Sequence, residues 1–200
     1  TRKIQVRVDL PTAEERREAI GKLYHWQSCC YRTANLMVSH LYTQEMISDF
    51  FYLTEGLRLK LWDEKKDPDG VLNTSRINTL YQMASKHFKG EMPTNIITCL
   101  KGSLYSEFMR YREDYRFGER SIPNFRKDMP FPFSRDEVRQ FTHRPEQKAF
   151  GFRLFGVPLH TYLGRDGSDK YQLLHRYAQG KLKLCTSQLQ LKKDKIYWLP

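Results

Sequence analysis

Side chains that commonly perform catalysis are present in this chain of 200 residues, but their spacing matches no catalytic motif. The Ser, His and Asp residues form no nucleophile elbow. The segment Gly164–Gly167 lacks the Lys-Ser/Thr pair with which a phosphate-binding loop holds phosphate and magnesium. Glu14, Glu15 and Glu18 stand where carboxylates stabilise a helix N-terminus through its dipole. We therefore expect no catalytic site in this chain.

Histidine and cysteine residues are spread too widely to predict a metal centre. The six histidines are dispersed, and a dispersed histidine is more often a packed or surface imidazole than a ligand. Cys29 and Cys30 are adjacent, so on a helix they would point about 100° apart and could not both bind one tetrahedral zinc. Cys99 and Cys185 add no C-x-x-C spacing. The sequence predicts no metal and no cofactor, and it predicts reduced thiols in a cytosolic protein.

The excess of positive charge lies in the second half of the chain. Residues 1–100 contain 14 basic and 12 acidic groups, whereas residues 101–200 contain 20 and 11, and the formal net charge is +11. A basic region on a folded chain indicates a polyanionic partner such as nucleic acid, although a basic protein without such a partner has the same composition. The abundance of Tyr and Phe argues against disorder. No apolar run approaches the ~18 residues of a membrane span.

Basic and aromatic side chains are interleaved in residues 110–127, which makes this segment the first candidate for binding nucleic acid. Arginine binds phosphate with two parallel hydrogen bonds, and aromatic rings stack on unpaired bases. The candidate residues, here called the arginine segment, are Arg112, Arg116, Arg120, Arg126 and Lys127. The alternative is a helix end whose arginines pair with nearby acids, namely Glu107, Glu113, Asp114 and Glu119.

Two further surfaces are candidates for contact with nucleic acid. In the first, lysines would share one face of an edge strand and continue into a basic turn, and these are Lys181, Lys183, Lys192 and Lys193. In the second, polar residues would lie on a helix face, and these are Lys22, Tyr24, His25, Arg32 and Asn35. Both surfaces also have a purely structural interpretation, because lysines protect strand edges and amphipathic helices carry polar faces.

The elements that would position these residues begin with a strand and a helix. Alternating apolar residues over 4–8 predict a half-buried strand. Thr12 followed by Glu15 is typical of a capping box at a helix N-terminus. The helical pattern then continues to about Trp62, which is too long for one ordinary helix. We therefore expect two or more helices before a charged turn at 63–70.

Further helices and then strands follow along the chain. One helix is predicted after a cap at Asn73, Thr74 or Ser75, and another from Thr94 to about Tyr111. Residues 113–148 show little periodicity. Short β-like runs separated by turn residues then indicate a small barrel, and they are Phe150–Leu154, Val157–Leu163, Tyr171–Tyr177, Lys181–Leu191 and Lys195–Leu199.

The order of these elements predicts an α+β fold, a small antiparallel β-barrel with a helical bundle inserted after the first strand. The first strand has no partner near it in sequence, so we expect it to pair with the distant barrel strands. The predicted parts are the first strand, 1–11; the helical lobe, 12–112; the basic connector, 113–148; and the rest of the barrel, 149–200.

In this order the chain resembles the N-terminal half of the TnpB transposon-encoded nucleases and of the type V CRISPR effectors related to them. The sequence KIQVRV at 3–8, followed by Pro11-Thr12, is similar to the first strand of their wedge domain and the step into their recognition lobe. PNFRK at 123–127 looks like the segment that returns to the wedge barrel. GKLK at 180–183 and LQLKKDKIY at 189–197 look like the barrel hairpin before the nuclease domain. The resemblance covers nearly the whole chain.

The resemblance implies that recognition is guided by RNA. The barrel would hold the scaffold of a guide RNA, and the helical lobe would help to read a short duplex DNA motif and cradle the guide–target heteroduplex. By the same resemblance, the helix face at 22–35 would contact the duplex motif, the arginine segment would lie near backbone phosphates, and the four lysines would face guide RNA.

The RuvC-type nuclease domain of that family, with its three acidic metal ligands, has no counterpart in these 200 residues. We therefore expect either a fragment that is missing its C-terminal nuclease domain or a natural product without that domain. In both cases the chain would be a cytoplasmic protein, associated with the nucleoid when bound to DNA, and not itself an enzyme. The alternatives are a standalone DNA-binding accessory protein of a mobile element and a basic protein–protein interaction module.

Overall fold

The computed structural model describes residues 2–53, 75–164 and 168–200. The charged turn predicted at 63–70 and the cap candidates Asn73 and Thr74 lie outside these ranges. The chain divides into two units, of which the first comprises 1–28 with 127–200 and the second comprises 29–126. Within the described ranges, none of the helices has both the length and the apolar character needed to span a membrane.

The first unit is built on a curled antiparallel sheet of seven strands that forms a half-barrel. The strands are β1, Ile4–Val8; β2, Phe131–Phe133; β3, Val138–Arg144; β4, Ala149–Leu154; β5, Val157–Tyr162; β6, Ser187–Lys192; and β7, Lys195–Leu199. Their order across the sheet is β2-β6-β7-β1-β5-β4-β3. The first strand therefore pairs with β5 and β7, which confirms the prediction that it joins distant strands.

Alternation along the strands gives this sheet one apolar and one polar face. Ile4, Val6 and Val8 of β1 are buried, whereas Arg7 between them is exposed. Directly paired residues of neighbouring strands lie on the same face. The pairs Ile4–Trp198 and Val8–Leu159 therefore continue the apolar face into β7 and β5.

Two helical segments of the first unit cover the apolar face. Trp26, near the start of helix α1 (Ala13–Leu53), lies with its ring centroid 6.4 Å from that of Phe131 on β2. Tyr177 belongs to the C-terminal helix of this unit, Ser168–Ala178, and its ring centroid lies 4.7 Å from that of Phe141 on β3. The polar face is therefore the surface of this sheet on which charged side chains can meet a ligand.

Helix α1 begins at the capping box that the sequence predicts. The Glu15 amide donates to Thr12 Oγ1 at 3.2 Å, and the Thr12 amide donates to Glu15 Oε2 at 3.2 Å. The prediction of two or more helices in this region is wrong over the described residues, because α1 runs unbroken to Leu53. Residues 13–53 contain no proline and only one glycine, Gly21, so the sequence carries no stop signal there.

The second unit contains the rest of α1 and three further helices, α2 (Arg76–Phe88), α3 (Thr94–Arg110) and α4 (Arg112–Arg116). Helices α2 and α3 are separated at Gly90 and Pro93, as the sequence predicts. Their apolar faces form a buried core at Leu80, Ala84, Ile96, Ile97, Leu100, Leu104 and Phe108.

Two of the predicted β-like runs are wrong. The run Tyr171–Tyr177 lies within helix α5, which is the helix Ser168–Ala178 described above. The run that begins at Lys181 becomes a strand only at Ser187, so Lys181 and Lys183 lie in a loop and share no strand face. The way in which α5 ends explains why no strand begins at Lys181. Gly180, with φ of 72°, donates to the Tyr177 carbonyl, and the Lys181 amide donates to the Arg176 carbonyl, which together form a Schellman cap.

Two strands lie within residues 113–148, where the sequence shows little periodicity. Strand β2 contains Pro132, which is unusual within a strand. Strand β3 has a register shift between Arg139 and Thr142, where Gln140 adopts a φ of 52°. Such a bulge interrupts the alternation of period two by which a strand is recognised.

Candidate nucleic-acid interface

The polar face of the seven-stranded sheet presents two tyrosines, each with a cation over its ring. Gln5 of β1 is paired with Tyr162 of β5 on one side and with Tyr197 of β7 on the other, so the tyrosines flank β1. Lys3 Nζ lies 3.9 Å from the centroid of the Tyr197 ring, and the Arg7 guanidinium carbon lies 4.0 Å from that of Tyr162. Because Tyr162 is still 46% exposed, its ring remains accessible to a ligand.

Further cations continue this surface across the sheet. Arg139 is paired with Arg153, and Lys192 with Lys195, and the strand alternation places all four on the same face as Arg7. The polar sheet face is defined here by Lys3, Gln5, Arg7, Arg139, Arg144, Arg153, His160, Tyr162, Lys192, Lys195 and Tyr197. Arginine and lysine can contact phosphates, and tyrosine can stack on bases, so this face carries side-chain types that nucleic-acid surfaces use.

Asp9, which follows β1, anchors Arg144 and lies beside His160 at one end of the polar sheet face. Its Oδ2 accepts a hydrogen bond from Arg144 Nη2 at 2.5 Å, and its Oδ1 lies 3.5 Å from His160 Nδ1. Arg144 reaches Asp9 across Gly151 of β4, where an added Cβ would lie 3.1 Å from Arg144 Nη2. Glycine at this position therefore leaves room for the arginine side chain.

The environment of Asp9 and His160 shifts both of their pKa values downward. The hydrogen bond from Arg144 lowers the pKa of Asp9, against the opposing effect of burial. Burial lowers the pKa of His160, against the opposing charge of Asp9. At neutral pH Asp9 is therefore a carboxylate and His160 an uncharged imidazole.

We expect the first unit to lose stability as the pH falls below about 6.5, the ordinary pKa of histidine. The unfolded state takes up a proton on His160 more readily than the folded state, so the free energy of unfolding decreases through this window. The lowered pKa of Asp9 extends the loss to more acidic pH, below the ordinary aspartate value. Urea unfolding followed by Trp fluorescence at a series of pH values measures how the free energy of unfolding changes with pH. In the variant His160→Gln the free energy of unfolding should depend less on pH just below neutrality. An unchanged pH dependence in this variant would contradict the attribution of the loss to His160.

The arginine segment is largely engaged by acidic neighbours in the second unit. An Arg112 guanidinium nitrogen lies 2.5 Å from Glu45 Oε1. Arg116 Nη1 lies 3.8 Å from Glu113 Oε2, and Arg120 Nε lies 3.9 Å from Asp114 Oδ2. The pairs with Glu113 and Asp114 are those that the helix-end interpretation predicts, whereas Glu45, the partner of Arg112, belongs to α1. Arg126 and Lys127 are exposed, and a role for this segment in binding stays a prediction.

The predicted helix face does not form one surface of free side chains. Lys22, Tyr24 and His25 are exposed on the part of α1 that belongs to the first unit, and Arg32 is exposed in the second. Asn35 uses its amide on the backbone, since Asn35 Nδ2 donates to the Phe125 carbonyl at 2.9 Å and Asn35 Oδ1 accepts from the Phe125 amide at 2.8 Å. Asn35 thereby holds the segment at 125 in place.

Gln27 of α1 has a comparable role in the first unit. Its Nε2 donates to the carbonyls of Lys127 and Leu191, both at 3.0 Å, and its Oε1 accepts from the Leu191 amide at 2.6 Å. Because Gln27 is buried, removing its amide would leave backbone groups of β6 without a partner.

Gln27→Ala should lower the free energy of unfolding by about 2–4 kcal/mol, since three hydrogen bonds to partly or fully buried backbone groups are lost. Urea unfolding followed by Trp fluorescence measures the change. Gln188→Ala, the same substitution at an exposed position of β6, is the matched control and should change stability by less than about 0.5 kcal/mol. Equal effects of the two substitutions would show that the Gln27 amide is not a structural clamp.

The four predicted lysines fall into two places. Lys181 and Lys183 are exposed in the loop after α5, whereas Lys192 and Lys193 lie at the β6–β7 hairpin. Lys192 Nζ donates to Asp128 Oδ2 at 2.9 Å. Lys193 occupies the turn with a φ of 49°. Of the four lysines, only Lys192 belongs to the polar sheet face.

Most residues of the polar sheet face are not recognisable as candidate ligands from the sequence alone. The alternation of Lys3, Gln5 and Arg7 with apolar residues was visible, but it indicates only the solvent side of a strand. Their aromatic partners Tyr162 and Tyr197 are far away in sequence, and only the strand pairing brings them together.

No protein-family model and no curated protein sequence matches this chain. The geometry of the polar sheet face is therefore the observation that bears most directly on function.

Proposed function

We propose that the first unit binds RNA through the polar sheet face. The observation that carries this proposal is the pair of tyrosines beside β1, each with a cation over its ring. A base stacks on an aromatic ring, and the adjacent cation neutralises the phosphate of the same nucleotide. The further arginines and lysines of the face would follow the backbone of the strand.

The spacing of the two tyrosines favours unpaired nucleotides. Tyr162 and Tyr197 stand on the strands either side of β1, so their backbones are about 10 Å apart, or two strand spacings. Bases along one strand of a duplex rise by only ~3.4 Å. Two rings at this separation therefore suit two bases that are splayed apart, as in a loop or single strand of RNA.

We further propose that this RNA is the scaffold of a guide and that the chain is the wedge and recognition portion of a TnpB-like RNA-guided DNA-targeting protein. The sequence resemblance supports this proposal. In addition, β1 pairs with strands that follow the second unit in sequence, which is the order expected if a helical bundle is inserted into a wedge barrel. The second unit would then contribute to recognition of duplex DNA.

Fluorescence anisotropy with the full chain tests the proposed function. We expect a hairpin RNA with a single-stranded loop to bind more tightly than duplex DNA of equal length, and affinity to fall steeply between about 50 and 200 mM salt. Equal or tighter binding of duplex DNA would overturn the RNA proposal and support the DNA-binding accessory protein. Absence of binding to either, together with a stoichiometric protein partner, would support the interaction module. A discrete RNA that copurifies with the chain would support a guide.

A further inference from the structure

We infer that a groove beside the polar sheet face, at the end of β1, is a binding site for one nucleotide unit. The base would lie on the apolar floor of the groove and the phosphate at its cationic rim. This inference rests on the proposed RNA-binding function, and it names a second, separate contact for the ligand.

The groove results from the unequal pairing of β1 with its two neighbours. Strand β1 pairs with β5 as far as Val8, but its pairing with β7 ends at Val6, which faces Ile196. Beyond Val6 the strand therefore has a neighbour on one side only. The start of α1 and the turn of the β6–β7 hairpin border the resulting space, whose volume is about 660 Å³. This volume lies within the usual ~300–1,000 Å³ of small-ligand sites.

The floor of the groove is apolar and includes one accessible aromatic ring. Val6, Val8 and Ile196 line it as buried side chains. Tyr24 of α1 also lines the groove and is 39% exposed, so its ring is accessible to a ligand. An accessible tyrosine in a groove that aliphatic side chains also line provides a surface on which a planar base can stack.

The rim of the groove has the charge that a phosphate requires. Arg7, Arg16 and Lys195 line it, and the acidic residue that accompanies them is Asp194. Arg16 Nη1 donates to the carbonyl of Leu10 at 2.8 Å, which holds this guanidinium in place before any ligand arrives. A bare inorganic phosphate would leave the apolar floor unused, and an uncharged apolar molecule would leave the cations unpaired. A nucleotide satisfies both parts of the groove.

Arg7 connects the groove with the tyrosine pair. Its guanidinium stands over Tyr162 on the polar sheet face, and the same residue lines the groove. A strand whose base stacks on Tyr162 can therefore place a neighbouring nucleotide in the groove. The source of the nucleotide is then either the bound RNA or a free nucleotide of the same chemistry.

Photocrosslinking combined with competition tests the site. A single-stranded RNA that carries 4-thiouridine is irradiated with the full chain, and crosslinked peptides are mapped by mass spectrometry. We expect a crosslink at Tyr24 or its immediate neighbours.

Lys195→Ala should lower RNA affinity severalfold and Tyr24→Ala about tenfold, whereas Tyr24→Phe keeps the ring and should retain binding. Lys148→Ala removes the same charge from an exposed position of the first unit, outside both the groove and the polar sheet face, and should change affinity by less than about twofold.

The outcomes distinguish a failure of the groove site from a failure of the proposed RNA-binding function. If millimolar AMP or UMP suppresses the Tyr24 crosslink and inorganic phosphate does not, free nucleotides occupy the site. If the crosslink forms and neither nucleotide competes, the nucleotide comes from the bound strand, and the inference also stands. RNA binding without a crosslink near Tyr24, equal loss in Lys148→Ala and Lys195→Ala, or competition by phosphate alone would overturn the groove site and leave the sheet-face proposal intact. If the chain binds no RNA and AMP gives no saturation-transfer signal, both proposals fail.

Discussion

The double variant Arg7→Ala/Tyr162→Ala is expected to bind single-stranded RNA about 100-fold more weakly than the unmodified chain. Loss of a stacked base removes about 1–3 kcal/mol, and loss of the arginine removes a charge-assisted contact of comparable size. Arg7 is exposed and Tyr162 is 46% exposed, so neither side chain contributes to the core of the sheet. Fluorescence anisotropy at low salt measures the affinity, and the urea midpoint of the variant checks that the fold is retained.

The second unit provides a matched control for this variant. Phe117 is 70% exposed, and the Arg116 guanidinium carbon lies 5.6 Å from its ring centroid. Arg116→Ala/Phe117→Ala therefore removes the same kind of pair, an arginine beside an exposed aromatic ring, from the arginine segment. We expect this control to weaken RNA binding by less than about fivefold. A greater loss here than in Arg7→Ala/Tyr162→Ala would move the RNA site to the arginine segment and overturn the sheet-face proposal.

Glu45→Ala is expected to destabilise the second unit by about 3–5 kcal/mol. The carboxylate of Glu45 is 1% exposed and forms ion pairs with Arg76 of α2 and with Arg112 of α4. Removing it leaves two partly buried guanidinium groups without their common counterion, and breaking a buried pair in this way is strongly destabilising. The carboxylate connects α1 to α2 and α4, so its loss should loosen these three helices together.

Amide hydrogen exchange is the appropriate measurement for Glu45→Ala, because it reports on individual helices. Trp fluorescence instead combines Trp26 and Trp198 of the first unit with Trp62, whose position in the sequence falls within the second. Protection in α2 and α4 should fall in the variant. Glu113→Ala is the control, since the Glu113 carboxylate is 60% exposed and forms a surface pair with Arg116 that contributes less than about 1 kcal/mol. Undiminished protection in Glu45→Ala would mean that the pairs with Arg76 and Arg112 make no net contribution to the stability of the unit.

Local sequence patterns predicted those elements whose signals lie within a few residues. Alternation identified β1, the Thr12–Glu15 pair identified the start of α1, and Lys195–Leu199 was predicted with the bounds that β7 has. The helix α5 was mistaken for a strand because its aromatic and leucine residues favour both structures over so short a run. Strand β3 escaped notice because its bulge interrupts the alternation.

The candidate site was harder to predict because it depends on pairing and on which polar groups are already engaged. Nothing in the local sequence around Tyr162 or Tyr197 shows that both will flank Gln5. Nor does the sequence show that the Asn35 amide is bonded to Phe125, or that Arg112 pairs with a buried carboxylate. Residue type and spacing identify candidate ligands, whereas the fold decides which of them are free to bind.

The central position of β1 also has a consequence for the order in which this protein can assemble. Among the seven strands β1 is the fourth, and it is the strand that joins the trio β2-β6-β7 to the trio β5-β4-β3. During synthesis β1 leaves the ribosome before its partners β5 and β7, which emerge only after the whole second unit. The first unit must therefore close a very long loop, which is slow and keeps an apolar strand exposed, while the second unit can fold beforehand. Removing residues 2–9 would divide the sheet into two halves rather than trim its edge.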